Sequence, residues 1–211
     1  MRTPTDWNKY KSDSDSFFHR IFLESVTKAY AGLLKHAKFR EPITILELGC
    51  GTGYTNKWLC RKYKVKKITL VDSNERMLNI AAKTLSKELC KKEFIKADFF
   101  RLKSEEKYDL VHSQGVIEHF EPKKRLELLK KHADLTKAEG YCVIYFPTPT
   151  FTYVLLRKIM EILGIWIFHD EVPLKKGTVT EEMESFGLKE VKGNYLSRFF
   201  LTEYGVLFKK K

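Results

Sequence analysis

Glycines and carboxylates occur at a spacing that could bind a polar ligand. Gly49, Gly51 and Gly53 alternate after an apolar run, and such a loop exposes main-chain N–H groups to a ligand. Asp72 comes 19 residues after Gly53, and its carboxylate could accept hydrogen bonds from both hydroxyls of a ribose. The loop differs from the dinucleotide fingerprint Gly-x-Gly-x-x-Gly, which would require glycine at the position of Tyr54.

Two further groups extend this candidate site. Asp98 could accept a hydrogen bond from an exocyclic amine, beside the ring of Phe99 that could pack on a purine. Ser113 and Gln114 end another predicted strand. Each group also has a structural interpretation, since Asp72 could be a helix cap, Asp98 a turn residue, and Ser113 and Gln114 loop polars. Their combination in this order favours a shared ligand site over chance.

Two histidines could act as a general base if the reaction removes a proton. His119 follows the fourth predicted strand and is the first candidate. His169 lies next to an unusually apolar segment and is the second. The alternatives are that His119 caps a helix or faces solvent, and that His169 is an ordinary hydrogen-bonded polar residue.

The elements that must position these residues alternate between strand and helix. Alternating strands and helices predict βαβ units, a parallel sheet and right-handed crossovers, with ligands bound beyond the carboxyl ends of the strands. A capping box at Thr178–Glu181 would begin a late helix, and residues 188–196 and 201–209 would form a closing antiparallel hairpin. The first five strands are predicted at residues 43–48, 67–72, 93–97, 108–113 and 140–146.

Composition limits the remaining possibilities. A chain of 211 residues with 43% hydrophobic and 13% aromatic content predicts a single globular domain. Its four cysteines show no Cys-x-x-Cys, which argues against a zinc site or a disulfide framework; no metal is expected. The N-terminus has no apolar signal segment, so a cytoplasmic protein is expected. The net charge of +12 raises nucleic acid or a lipid surface as partner, although most of the lysines are expected to face solvent.

The segment 151–168 is apolar but is interrupted by charges. It is too short and too charged to predict a membrane span. Three interpretations stay open: a helix packed in the core, a lid over an apolar substrate, or an interfacial helix that contacts a membrane peripherally.

These motifs together resemble those of the class I S-adenosylmethionine-dependent methyltransferases. The resemblance covers residues 40 to 150, and the first motif with Asp72 in register is its most specific part. The matching segments are Glu47-Leu-Gly-Cys-Gly-Thr-Gly53, Leu70-Val-Asp72-Ser73, Ala97-Asp98-Phe99, Tyr108-Asp-Leu-Val-His-Ser113 and Val116-Ile-Glu-His119.

The resemblance implies an α/β fold with a doubly wound, mostly parallel sheet of seven strands. The last strand is antiparallel, helices cover both faces, and S-adenosylmethionine lies across the strand ends. The expected parts of this single domain are an N-terminal helical cap (1–40), a cofactor-binding core (41–150), a lid-like insertion (151–178) and a final helix with hairpin (179–211).

The resemblance also implies residue roles. Glu47 would brace the loop and meet the methionine amino group. The main chain of the loop would line the methionine part at Gly49, Cys50, Gly51 and Gly53. The remaining implied contacts are Asp72 with the ribose, Ser73 and Met77 with the ribose and adenine, Asp98 and Phe99 with the adenine, and Ser113 and Gln114 with the methyl end.

The acceptor is less constrained by the sequence. The loop after the fourth strand lacks the Asn/Asp-Pro-Pro-Tyr pattern of enzymes that methylate exocyclic amines of nucleobases, and it lacks a cysteine nucleophile. The hypothesis is transfer to a small, mostly apolar acceptor beneath residues 151–168. The alternatives are an RNA or protein methyltransferase that uses the basic surface, and a non-catalytic module that binds S-adenosylmethionine. The oligomeric state is left open.

Overall fold

A computed structural model of the chain describes residues 3–7, 17–196 and 202–211. Two 3-10 turns, at Phe99–Arg101 and Ile117–His119, follow the third and fourth strands. The helices and strands are, in chain order, α1 (Phe17–Leu34), β1 (Ile43–Leu48), α2 (Tyr54–Lys62), β2 (Val65–Asp72), α3 (Glu75–Thr84), β3 (Lys91–Lys96), β4 (Tyr108–Gln114), α4 (Pro122–Leu135), β5 (Thr136–Pro147), α5 (Phe151–Ile162), α6 (Lys176–Ser185), β6 (Leu188–Tyr195) and β7 (Glu203–Lys210).

The seven strands form one sheet in the spatial order β3-β2-β1-β4-β5-β7-β6. Strands β1 to β5 pair in parallel, whereas β7 is antiparallel to both β5 and β6. This order confirms the predicted doubly wound sheet with an antiparallel last strand. The strand order reverses between the neighbours β1 and β4, which creates a crevice at their carboxyl ends.

Two apolar clusters cover the two faces of the sheet. On one face, Leu33 of α1 and Leu59 of α2 pack with Ile45 of β1. On the other face, Leu128 of α4 and Met183 of α6 belong to the second cluster. Strand β1 is buried from both sides, which explains its nearly continuous apolar sequence. The central strands are therefore rigid supports for the loops that follow them.

Two boundaries near the C-terminal half differ from the prediction. Helix α6 begins at Lys176, so Thr178 lies inside the first turn and the predicted capping box is wrong. A different threonine, Thr180, donates a 2.7 Å hydrogen bond to Glu190 of β6. Strand β5 also begins earlier than predicted, at Thr136, directly after α4.

Helix α5 is mostly solvent-exposed. Only Tyr153 of this helix is buried, whereas Phe151 and Ile162 are 81% and 77% exposed. The interpretation of residues 151–168 as a helix packed in the core is therefore wrong, because most side chains of α5 are not buried. None of the helices in the described part of the chain has both the length and the apolar content that a membrane span requires.

The four cysteines are free thiols. Cys50 and Cys142 are buried, while Cys60 and Cys90 are half-buried with their sulfur atoms 3.0 Å apart. The two residues are 30 positions apart in the chain, so their contact could not be predicted from a local sequence motif.

We predict that Gly205→Ala destabilises the fold by about 3 kcal/mol. An added Cβ would lie 2.2 Å from the ring of Tyr145, which is fully buried and stacks on Tyr30; overpacking of this kind typically costs about 1–3 kcal/mol. The measurement is urea unfolding. The control is Gly177→Ala in α6, which has no close contact and should be neutral or up to about 1 kcal/mol more stable. Equal unfolding midpoints for the two variants would contradict this prediction.

Candidate active site

A cavity of about 330 Å³ lies at the carboxyl ends of the central strands. Side chains from α1, from the loops after β1, β2 and β4, and from the segment after α5 surround it. Most of the residues predicted from the sequence line this cavity, namely Glu47, Gly49, Cys50, Gly51, Asp72, Ser73, Met77, Phe99, Gln114 and His119.

Four predicted residues are not among the lining residues. Gly53 directly precedes α2, with a φ of 67°. Asp98 is exposed and caps the 3-10 turn that follows it. Ser113 is fully buried, and its hydroxyl bonds to Nε2 of His132 at 2.9 Å. His169 is exposed. The structure therefore brings together the glycine loop, Asp72 and His119, but it does not bring His169 to them.

The glycine loop leaves its main chain open to the cavity. Gly49 has a φ of 72°, and an added Cβ there would lie 2.6 Å from Cγ2 of Val116. Gly51 has a φ of 49°, and an added Cβ there would meet no atom within 4 Å. The first glycine therefore permits close packing of two loops, while the second leaves space in which a ligand can approach the backbone.

Asp72 ties this loop to the next helix. Its Oδ2 accepts a 2.9 Å hydrogen bond from the main-chain N–H of Gly51, and its Oδ1 accepts a 2.8 Å bond from that of Asn74. Asn74 in turn caps α3 through its side chain. An ionised carboxylate has about four acceptor positions, so both oxygens can still accept bonds from ligand hydroxyls.

Glu47 is held by a buried chain of hydrogen bonds. Tyr30 donates to Nδ1 of His112 at 3.2 Å, Nε2 of His112 bonds to Oδ1 of Asn56 at 3.3 Å, and the Asn56 amide donates to Oε2 of Glu47. Burial lowers the pKa of His112 to about 3, so its ring is neutral. Burial, followed by the nearby Asp72, raises the pKa of Glu47 well above its usual value.

His119 is oriented by a carboxylate. Its Nδ1 lies 2.7 Å from Oδ1 of Asp170, which also accepts a bond from the hydroxyl of Thr5. Burial lowers the pKa of His119, although Asp170 acts in the opposite direction. A neutral imidazole that donates from Nδ1 leaves Nε2 as a proton acceptor. The arrangement is therefore suited to a general base.

Three further carboxylates line the same cavity, and the sequence analysis assigned none of them a role in the site: Glu118, Glu171 and Glu203. Glu118 and Glu171 each have an atom within 4.8 Å of the other and of His119, a distance that could suit a cation. Burial raises the pKa of all three carboxyls, and that of Glu203 reaches about 7. No spacing could reveal this cluster, because its members come from the 3-10 turn after β4, from the segment after α5 and from β7.

An aromatic wall forms another side of the cavity. It consists of Tyr153 from α5, Trp166 and Phe168 from the segment that follows, and Trp7 near the N-terminus. Tyr153 and Trp166 are buried, whereas Trp7 is 37% exposed. These residues lie in the predicted N-terminal cap and lid-like insertion, so both segments contribute to the cavity.

Comparisons with known proteins agree with this geometry. Residues 45–140 match the family model described as a methyltransferase domain. Malonyl-[acyl-carrier protein] O-methyltransferase of Priestia megaterium is 37% identical over 82 residues, which are 39% of this chain and 29% of that protein. Trans-aconitate 2-methyltransferase of Enterobacter sp. is 28% identical over 139 residues, which are 63% and 51% of the two chains. The chain thus spans between 29% and 51% of the length of these two relatives.

A solved structure shows the same fold over nearly the whole chain. Magnesium protoporphyrin IX methyltransferase from Synechocystis PCC 6803, solved with bound S-adenosylhomocysteine, superimposes with a TM-score of 0.72 at 17% identity. The match covers 97% of this chain and 93% of that enzyme. The same enzyme was also solved with S-adenosylmethionine, in agreement with the cofactor predicted from the sequence.

The methyltransferase-domain match over residues 45–140 and the shared fold agree with the S-adenosylmethionine-dependent methyltransferase class that the motifs predicted.

We predict that Glu203 makes the fold less stable as the pH rises from 4.5 to 7. The pKa of this carboxyl is about 7 in the folded protein, against a usual value of 4.5 that applies to the unfolded chain. Between these values the folded state binds more protons than the unfolded state, so the free energy of unfolding decreases as the pH rises. The full shift would correspond to about 3 kcal/mol. Because the side chain is half-buried, we expect about 1 kcal/mol.

Thermal unfolding of Glu203→Gln between pH 4.5 and 8 tests this effect. The variant should gain stability relative to the parent as the pH rises, since its amide does not titrate. Glu184→Gln, an exposed position on α6, is the matched control. A constant difference between Glu203→Gln and the parent across this range would contradict the prediction.

Proposed function

We propose that the protein binds S-adenosylmethionine in this cavity and catalyses methyl transfer to a small-molecule acceptor. The observation that carries the proposal is the link between Asp72 and the N–H of Gly51, 2.9 Å apart, beside a backbone with open space in front of it. Because the chain spans only part of its curated relatives, the activity of the whole protein is part of this proposal.

The proposed contacts follow the chemistry of each group. Glu47 would receive the cofactor's ammonium, because it is a buried carboxylate at the end of β1. The open N–H groups of the glycine loop suit the cofactor's carboxylate. Asp72 would accept both ribose hydroxyls. The sequence-based contacts of Asp98 with adenine and of Ser113 with the methyl end stay predictions, and Ser73, Met77, Phe99 and Gln114 are better placed because they line the cavity.

The bound cofactor would supply a methyl group on a positively charged sulfur. The protein's own contribution is to orient the acceptor and to exclude water, effects that reach roughly 7–11 kcal/mol in favourable cases. His119, with Nδ1 engaged by Asp170, would accept a proton from an acceptor that must lose one.

Specificity is proposed to reside outside the matched family core. Residues 1–40 and 151–178 contribute the aromatic wall, which would hold an apolar part of the acceptor. A small molecule is favoured over RNA or a protein, because no lysine or arginine is among the described lining residues. Peripheral membrane contact through the exposed face of α5 and a cytoplasmic location stay predictions, as does the alternative of a non-catalytic module.

We predict that Asp72→Ala weakens the binding of S-adenosylhomocysteine at least tenfold. The substitution removes a charged acceptor for the ribose and also the brace on Gly51. Hydrogen bonds to charged groups contribute about 1.5–3 kcal/mol, and about 1.4 kcal/mol corresponds to tenfold. The measurement is isothermal titration calorimetry.

The control for this experiment is Asp134→Ala, since Asp134 is an exposed carboxylate on α4. It should bind S-adenosylhomocysteine like the parent. Absence of binding to the parent, or unchanged affinity in folded Asp72→Ala, would refute the proposed cofactor site. Binding without any methylated product from any acceptor would support the non-catalytic alternative.

We predict that the uptake of S-adenosylhomocysteine releases protons at pH values below the raised pKa of Glu47. Burial keeps the pKa of Glu47 raised in the free protein, whereas a bound ammonium favours the ionised carboxylate. The affinity should therefore increase as the pH rises through that raised pKa. Calorimetry in two buffers of different ionisation enthalpy measures the release. Glu47→Gln should abolish it, and an equal release from this variant would show that another group is responsible.

A further inference from the structure

Glu118 is a buried carboxylate in the wall of the cavity. It is 1% exposed, it lines the cavity, and its Oε2 has no hydrogen-bond partner among the described residues. Its Oε1 lies 3.9 Å from Nε2 of His119. Because buried polar atoms in proteins are nearly always paired, the unpaired oxygen is available to a hydrogen-bond donor from a ligand.

Glu171 adds a second carboxylate beside the first. Its Oε1 accepts a hydrogen bond from the hydroxyl of Tyr153, and it lies within 4.8 Å of the ligand atoms of Glu118 and His119. Arg157 partly offsets this charge, with Nη1 3.9 Å from Oε1 of Glu171, but it is not among the lining residues. The arrangement therefore favours a positively charged ligand group.

The aromatic wall, Tyr153, Trp166, Phe168 and Trp7, is continuous. Ring centroids are 6.3 Å apart for Tyr153 and Trp166, 5.5 Å for Trp166 and Phe168, and 5.9 Å for Phe168 and Trp7. Aromatic faces attract ammonium groups through their quadrupoles. Rings beside buried carboxylates thus suit an organic cation with an apolar body.

The charges of the lining also disfavour a carboxylate acceptor. The described lining contains five carboxylates, Glu47, Asp72, Glu118, Glu171 and Glu203, and neither lysine nor arginine. Two relatives are named for malonyl and aconitate acceptors, which carry carboxylates. Such a group would lack a cationic partner here, and its negative charge would oppose the ionisation of the acidic side chains beside it.

We propose that the methyl acceptor is an amine, whose positively charged nitrogen is held between Glu118 and Glu171 beside the aromatic wall. The proposal rests on the proposed function and specifies its substrate class. A divalent metal ion is the competing occupant of the carboxylates. The rings favour the amine, since they cannot supply the oxygen ligands that such hard ions require.

The groups present account for every proton, bond and charge in a methyl transfer to this nitrogen. A primary or secondary ammonium first gives one proton to the neutral imidazole of His119. The nitrogen lone pair then forms a bond to the methyl carbon, while the carbon–sulfur bond breaks and its electron pair stays on sulfur. The positive charge passes from sulfur to nitrogen, where Glu118 and Glu171 remain its partners.

The first experiment measures binding to protein saturated with S-adenosylhomocysteine. Tryptophan fluorescence is titrated with three probes of similar size: 2-phenylethylamine, 2-phenylethanol and 3-phenylpropionate. The amine should bind at least tenfold more tightly than the alcohol, and the carboxylate most weakly. Glu118→Gln should remove most of the preference for the amine, whereas Glu184→Gln should keep it. The glutamine keeps the shape of the side chain and removes a buried charge, so the variant should fold.

The second experiment measures turnover of the same probes with S-adenosylmethionine by mass spectrometry. Methylated 2-phenylethylamine should form. Glu118→Gln should raise the KM for this amine about tenfold, while the calorimetric binding of S-adenosylhomocysteine is unchanged.

Equal or stronger binding of the carboxylate, or no effect of Glu118→Gln on amine binding, would overturn the proposal. So would activity that is abolished by EDTA and restored by Mg²⁺ or Mn²⁺. If the parent protein did not bind S-adenosylhomocysteine, the proposed function itself would be refuted.

Discussion

The hydrogen bonds of Asp72 are the constraint on which the rest of the site depends. One carboxylate joins the N–H of Gly51 to the N–H of Asn74, so it fixes the loop after β1 relative to the start of α3. A loop of alternating glycines would otherwise sample many conformations. Because β1 pairs with β2 from Ile43 to Leu48, the two strand ends supply a fixed frame, and the ligand-facing backbone is formed before any ligand binds.

A second layer supports the loop from below. The chain from Tyr30 through His112 and Asn56 to Glu47 connects α1, β4, α2 and β1. Networks of buried polar groups fix the geometry strongly when every member is paired. Helix α1 thus supports the site through the buried side chain of Tyr30. Trp7, which precedes this helix, lines the cavity directly. The tether of α1 to β6, through the bond from Asn194 to the carbonyl of Ala29, extends that support to the far edge of the sheet.

The sequence predicted what depends on local pattern and failed where distant segments meet. The strand–loop–helix unit around Gly49 and the position of Asp72 follow from chain order, because the carboxyl ends of parallel strands share one edge. Glu171 and Glu203 reach the cavity through the path of the chain after α5 and through the antiparallel β7, which no periodicity encodes. The capping box at Thr178 failed because α6 begins two residues earlier, at Lys176.

The net charge of the protein is positive, whereas the side chains that line its cavity are acidic. The chain carries a net charge of +12, yet its cavity is lined by carboxylates without lysine or arginine in the described part. A ligand with a net positive charge is therefore repelled at long range and attracted only after it has entered. Dissolved ions screen the long-range repulsion far more than the attraction inside. Such a ligand should consequently associate faster in concentrated than in dilute salt, the reverse of the behaviour of a protein that captures polyanions.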